Sequence, residues 1–232
     1  MEIRRLLAPA LMMALLAFCL QSHAQEDPEY RAEIGAGLGL LTYQGDFSGS
    51  LTKNAQPCFS LMGKYRMNPR MVLALNISYG KLKGDSKETT TWYPATAGEP
   101  WTFSHQLTDA SLTYEYNFWP YGTGREYRGA QPFTPFIAIG LGLTVVKTDD
   151  KTETTFNMPI GLGVKYKVAE RVNLSLQWMM HFSNSDKLDG VEDPYGIKRS
   201  GLFKNTDSYS MLQMTVSYDI WAKCKTCNND RY

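Results

Sequence analysis

The sequence predicts an all-β chain, an eight-stranded antiparallel transmembrane β-barrel of the outer-membrane type, and three observations carry that prediction. Hydrophobic residues alternate with small or polar ones over eight stretches, which is the two-residue period of a strand and not that of a helix. The non-apolar face is thick with glycine, which weakens a solvated strand but makes room inside a narrow closed barrel. Long and short connections alternate, as in barrels with short periplasmic turns and longer outer loops. A soluble barrel with its apolar face inward shares the first feature. The glycine-rich face, with Tyr65, Tyr79, Tyr116, Phe118, Tyr166, Tyr218 and Trp221 on the apolar face near strand ends, favours lipid outside.

The clearest unit is Phe156 to Phe182, a hairpin. Met158, Ile160, Leu162, Val164, Tyr166 and Val168, then Val172, Leu174, Leu176, Trp178 and Met180, lie on one face; Asn157, Gly161, Gly163, Lys165, Lys167, Asn173, Ser175, Gln177 and His181 lie on the other. This hairpin supplies strands six and seven. Strand one, Glu33 to Tyr43, sets Ile34, Ala36, Leu38 and Leu40 against Gly35, Gly37 and Gly39. Strand two, Cys58 to Met67, sets Phe59, Leu61 and Tyr65 against Ser60, Met62, Lys64 and Arg66, and Asn68-Pro69 turns into strand three, with Leu73, Leu75, Ile77 and Tyr79 outward. Strand four, Thr108 to Phe118, sets Leu112, Tyr114 and Tyr116 against Ser111, Thr113, Glu115 and Asn117. Strand five, Phe133 to Val145, sets Ile137, Ile139, Leu141 and Leu143 against Ala138, Gly140 and Gly142. Strand eight, Tyr209 to Trp221, sets Leu212, Met214, Val216 and Tyr218 against Gln213, Thr215, Ser217 and Asp219.

The chain has 232 residues, 43% hydrophobic and 12% aromatic, the size of one such domain. Beyond the N-terminus no apolar run reaches about 18 residues, so a membrane-spanning helix is not expected, and the mean hydropathy is −0.33. Residues 1–24 read as a signal peptide: Arg4 and Arg5, an apolar core from Leu6 to Leu20, and a small-residue cleavage site between Ala24 and Gln25. Lipoprotein processing at Cys19 is disfavoured by the preceding Phe18. Residues 25–32 form a short periplasmic segment, 33–221 the barrel and 222–232 a periplasmic tail. Losing Arg4, Arg5 and Glu2 takes the formal charge from +1 to 0, which leaves nothing to support nucleic-acid binding.

Long connections follow strands one, three and seven (Gln44 to Pro57, Leu82 to His105, Ser183 to Ser208), and these face outward. The connection from Trp119 to Gln131 is too long for a periplasmic turn. Its Tyr121, Arg125, Tyr127 and Arg128 are candidate contacts for a periplasmic partner, Tyr and Arg being favoured at protein interfaces. The alternative is a loop packed on the barrel rim.

A lumen of eight strands is filled by side chains. Glu33, Lys64, Arg66, Glu115, Lys165, Lys167 and Asp219 face it, both signs together, and the expected use is an internal ion-pair network, with a proton relay as the rarer one. Catalytic constellations, cofactor motifs and a small-molecule substrate site are not expected: His105 falls in an outer loop, His181 on the polar face, and Gly-x-Ser-x-Gly is missing. Asp186, Asp189, Glu192 and Asp193 form an acidic outer loop without EF-type spacing. Cys58, Cys224 and Cys227 survive leader removal. Cys224 and Cys227 suit a local disulfide in an oxidising compartment; a redox link to a partner and half of a metal site stay open.

The chain resembles the type IX secretion outer-membrane protein PorG family over nearly its whole mature length. The resemblance rests on Gly35-x-Gly37-x-Gly39 with Tyr43-x-Gly45-Asp46, Tyr114-x-Tyr116-Asn117-Phe118 and Pro132-Phe133-x-Pro135-Phe136. It continues in Ile160-Gly161-x-Gly163-x-Lys165-Tyr166-Lys167, Ser185-Asp186-x-Leu188-Asp189-x-Val191 and Lys204-Asn205-x-Asp207-x-Tyr209-Ser210. It implies a non-enzymatic barrel that ties a periplasmic ring of PorK lipoprotein and PorN to the outer membrane, and assigns no residue to that contact. The competing expectation is a small adhesin or stress-type barrel acting through its outer loops.

Overall fold

The computed structural model describes residues 30–44, 54–85, 102–122, 130–148, 152–183 and 208–222. They form β1 (Tyr30–Gln44), β2 (Gln56–Arg66), β3 (Met71–Asp85), β4 (Thr102–Asn117), β5 (Phe133–Lys147), β6 (Thr152–Ala169), β7 (Val172–Ser183) and β8 (Ser208–Ala222). Each strand pairs antiparallel with the next, and β8 closes on β1, so every backbone donor and acceptor of the wall has a neighbouring strand to meet and no edge faces hydrocarbon. The leader, the acidic outer loop, residues 123–129 and the Cys224/Cys227 tail lie outside the described residues.

The barrel is longer than the sequence predicts. β1 starts at Tyr30, before the expected boundary at Glu33, and β8 runs on to Ala222. β3 and β4 pair out to Asp85 and Thr102, which draws His105 out of the expected loop into the wall, its side chain inward and buried. Leu82, Phe103 and Leu107 explain the extension: they point inward and continue the packed column above the last lipid-facing rows.

The side-chain pattern is that of a soluble protein turned inside out. Leu38, Leu141 and Phe156 are 69%, 72% and 70% exposed, while Glu115 and Asp219 are at 1% and 0%. Exposed aliphatics in a continuous closed band have one stable solvent, the lipid chains. Tyr65, Tyr116, Phe118, Trp119, Phe133, Tyr166 and Tyr218 are exposed toward the end that carries the short turns, one aromatic girdle.

The turns at that end are stapled by side chains. Asn68 accepts the backbone N–H groups of Arg70 and Met71 through Oδ1, both at 2.8 Å, which is the local reason an Asn-Pro pair turns the chain here. Glu170 and Arg171 make the β6–β7 turn, with a register shift between Lys167 and Ala169.

At the opposite end the pattern inverts. Across β3, β4, β5 and β6 one row of outward positions reads Ile77, Ala110, Leu143 and Phe156. The next reads Tyr79, Thr108, Val145 and Thr154, and the next Lys81, Gln106, Lys147 and Thr152. Inward at the same height sit Leu41, Tyr43, Leu82, Phe103, Leu107, Val146, Tyr209 and Met211, all buried in one apolar cluster with Cys58. The wall thus leaves the lipid near Tyr79 and continues as a collar with a water-soluble polarity, closed by an apolar plug.

Candidate functional site

Three layers fill the barrel. Beneath the apolar plug lies a polar cluster around Asp109 of β4. Its Oδ2 accepts hydrogen bonds from Asn157 (2.6 Å), Tyr209 (2.9 Å) and Thr144 (3.4 Å), and His181 stacks on Tyr209 with ring centroids 4.6 Å apart. Asp109 Oδ1 has no hydrogen-bond partner among the described residues and stands 3.8 Å from His181 Nδ1.

Below it lies the charge network. Glu115 accepts from Lys165 at 2.5 Å and from Lys64 at 3.1 Å, and Lys165 also donates to Asn117 at 3.0 Å. Arg66 bridges Glu33 at 2.6 Å and Asp219 at 2.8 Å, Asp219 accepts Lys167 at 2.6 Å, and Asn173 donates to Asp219 at 2.8 Å. Ser217 donates to Glu33. The structure therefore brings together all seven residues that alternation places inside, in two groups. They are held there because each is the inward member of its strand: Glu33 on β1, Lys64 and Arg66 on β2, Glu115 on β4, Lys165 and Lys167 on β6, Asp219 on β8.

Buried charge is tolerable only with such partners. Four cations and three carboxylates meet in this layer, and Asp109 above is the fourth fully buried carboxylate. Among the described residues the buried lysine, arginine, aspartate and glutamate charges cancel. Phe136 fills the space between charges, with Lys165 Nζ 4.4 Å from its ring centroid. Gly163 makes that possible: a Cβ there would stand 2.7 Å from two ring atoms of Phe136.

Tyr121 closes the mouth at the end with the short turns, and its burial corrects the expectation that it is a partner contact. It belongs to the β4–β5 connection yet is 3% exposed, because the connection folds over the mouth. Its hydroxyl donates to Asn173 Oδ1 on β7 at 2.8 Å, and its ring lies 5.6 Å from the Arg66 guanidinium and 5.8 Å from Lys167 Nζ. Burial, together with the nearby Glu33 carboxylate, holds the phenol proton well above the ordinary tyrosine range, so it remains a donor. The two legs of the connection are joined by a parallel bridge between Tyr121 and Gln131, and Arg70 Nη1 donates to Phe118 O at 2.6 Å. Arg125, Tyr127 and Arg128 lie outside the described residues.

Sequence reasoning missed Asp109 and the plug. Asp109 shares the inward parity of Ser111, Thr113 and Glu115, so the signal was present one step higher on the strand. Among the described residues no group of three His, Cys, Asp or Glu side chains could hold a metal ion. Both described histidines, His105 and His181, point into the barrel.

A closed eight-stranded wall with lipid-facing aliphatics and a filled, charge-matched lumen defines an outer-membrane β-barrel. The chain belongs to the outer membrane protein beta-barrel domain family, whose pattern matches residues 10–219. It resides in the bacterial outer membrane and contacts its lipid. Among solved structures it is similar to Neisserial surface protein A, with 13% identity, a TM-score of 0.50 and coverage of 82% of this chain and 97% of that one. It is likewise similar to OprG from Pseudomonas aeruginosa, with 12% identity, a TM-score of 0.50 and coverage of 85% and 99%. The outer membrane enzyme PagL matches at 13% identity and a TM-score of 0.39, over 81% of this chain and 99% of that one. At such identities the likeness to the first two speaks to fold alone. No curated protein matches the sequence.

Proposed function

We propose that this barrel is a non-enzymatic component of a type IX protein secretion system, a PorG-type anchor whose periplasmic side recruits a PorK/PorN-like ring. The reading is supported chiefly by the β4–β5 connection. Tyr121 pins its described legs over the mouth, so Gly122 and Ala130, which flank the segment that carries Arg125, Tyr127 and Arg128 in the sequence, stand on that side of the barrel. The sequence motifs shared with the family support it independently. The lumen network then serves to hold the wall and the loop anchor rigid, not to conduct. β8 ends on the same side at Ala222, and the tail that follows it in the sequence, with Cys224 and Cys227, is the second candidate contact, through a local disulfide or a redox link.

The test is co-purification from outer membranes. Deleting 123–129, or the tail from Lys223, is expected to abolish recovery of the ring proteins while the barrel stays inserted; full recovery with both deletions overturns the reading.

The collar favours a second reading, an adhesin or stress-type barrel, because the strand ends from which the outer connections depart stand above the lipid-facing rows. Cell-surface binding assays with outer loops removed separate the two.

A further inference from the structure

The outward face of the collar is not uniform. Lys81 of β3 and Lys147 of β5 both flank Gln106 of β4 in one row, and Lys83 lies one step higher on β3, opposite Ser104. All three lysines are exposed, and none has an ion-pair partner among the described residues. Neighbouring strands are about 4.8 Å apart and alternate residues about 7 Å, so the three Cα positions form a triangle with sides of about 7, 10 and 12 Å. Elsewhere the outward positions at the collar's described upper ends are Gln44, Pro57, Phe182 and Ser208, with no cation.

Height decides what such a patch meets. The row immediately below is Tyr79, Thr108 and Val145, and the row below that is wholly apolar. The ammonium groups therefore stand one row above the hydrocarbon edge on the face with the long connections, the level of the outer-leaflet head groups. Long lysine stems can bend toward a phosphate there while the Tyr79 ring packs on its acyl chains.

We propose that Lys81, Lys83 and Lys147 form a binding site for a phosphorylated glycolipid of the outer leaflet, with the ammonium groups on its phosphates and the Ile77–Leu143 surface beneath on its acyl chains. The site fixes one lipid on the β3–β5 side of the barrel and so gives the wall a preferred lipid neighbour. It is independent of any periplasmic partner.

The full chain, purified and folded in detergent, is titrated with diphosphoryl lipid A and followed by native mass spectrometry. Each lysine is expected to contribute about fivefold, so K81Q/K83Q/K147Q binds on the order of a hundredfold more weakly. K81R/K83R/K147R retains binding. R70Q/R171Q, an equal kind of charge removal at the periplasmic rim, leaves it unchanged, and lipid A stripped of phosphate binds the native chain as weakly as intact lipid A binds the triple glutamine variant. Folding is checked by heat-modifiable gel mobility, and K81Q and K147Q singly give a second reading of the same dependence. Equal binding by native chain and glutamine variants, or indifference to the phosphates, overturns the site. Lysine-dependent binding of soluble heparin without lysine-dependent binding of lipid A also overturns it, in favour of a soluble polyanion.

Discussion

Tyr121, carried by the β4–β5 connection, donates its phenol O–H to Asn173 of β7 at 2.8 Å, and so ties that connection to a strand two places further round the barrel. Asn173 Oδ1 keeps a second donor, Lys167 Nζ at 3.0 Å, so removing the hydroxyl alone leaves no orphaned acceptor. Tyr121→Phe is expected to cost about 0.5–1.5 kcal/mol. Tyr121→Ala also empties the space beside Arg66 and Lys167 and is expected to cost about 3–5 kcal/mol. Urea-dependent unfolding from lipid vesicles measures both. Equal costs would place the ring outside the mouth.

Glu115 holds two ammonium groups, Lys165 at 2.5 Å and Lys64 at 3.1 Å. Glu115→Gln leaves two buried cations facing one neutral amide and is expected to destabilise the barrel by about 3–5 kcal/mol. Replacing all three with apolar residues of similar volume (Lys64→Met, Glu115→Leu, Lys165→Met) recovers most of the loss, because no member of this group is then left charged without its partner. Unfolding measurements on the single and triple variants give the comparison, and a triple variant less stable than Glu115→Gln contradicts it.

Much of this was legible in the chain because a barrel wall obeys parity. Glu33, Lys64, Arg66, Glu115, Lys165, Lys167 and Asp219 could be placed inside by counting from aliphatic neighbours, and the register carries each one there. Parity fails where the solvent changes sides. Leu40 faces lipid and the adjacent Leu41 is fully buried; Val145 and Val146 repeat that break. In the sequence these pairs look like the end of a strand, whereas they mark the height at which water replaces lipid outside. Tyr121 was misplaced for a different reason. Nothing local to WPYGTGREYRG says that its tyrosine bonds to a residue 52 positions away, since that contact exists only once the cylinder has closed.

Gly163 and Phe136 share one volume of the lumen. A Cβ at 163 would lie 2.7 Å from the ring and 2.5 Å from the Leu176 carbonyl oxygen. Gly163→Ala is expected to cost about 1–3 kcal/mol in the native chain. In a Phe136→Leu background the cost falls but does not vanish, because the carbonyl is backbone and cannot move aside. A double-mutant cycle reads the coupling, and a cost unchanged by Phe136→Leu dissociates the two.

Leu141 and Gln106 both point outward, on the adjacent strands β5 and β4, and differ in height: Leu141 sits in a row with Leu112 and Leu75, Gln106 between Lys81 and Lys147. A cation introduced at each position separates lipid from water. Leu141→Arg buries a guanidinium near the middle of the apolar band and is expected to cost about 2–4 kcal/mol on folding into vesicles. Gln106→Arg stays within about 0.5 kcal/mol of the native chain, since a collar position is solvated before and after the change. Both side chains are exposed on the outer wall, so their difference in cost comes from what surrounds the barrel. Equal tolerance of arginine at both sites would mean that the Leu141 row meets water, and the lipid-facing band would have to be redrawn.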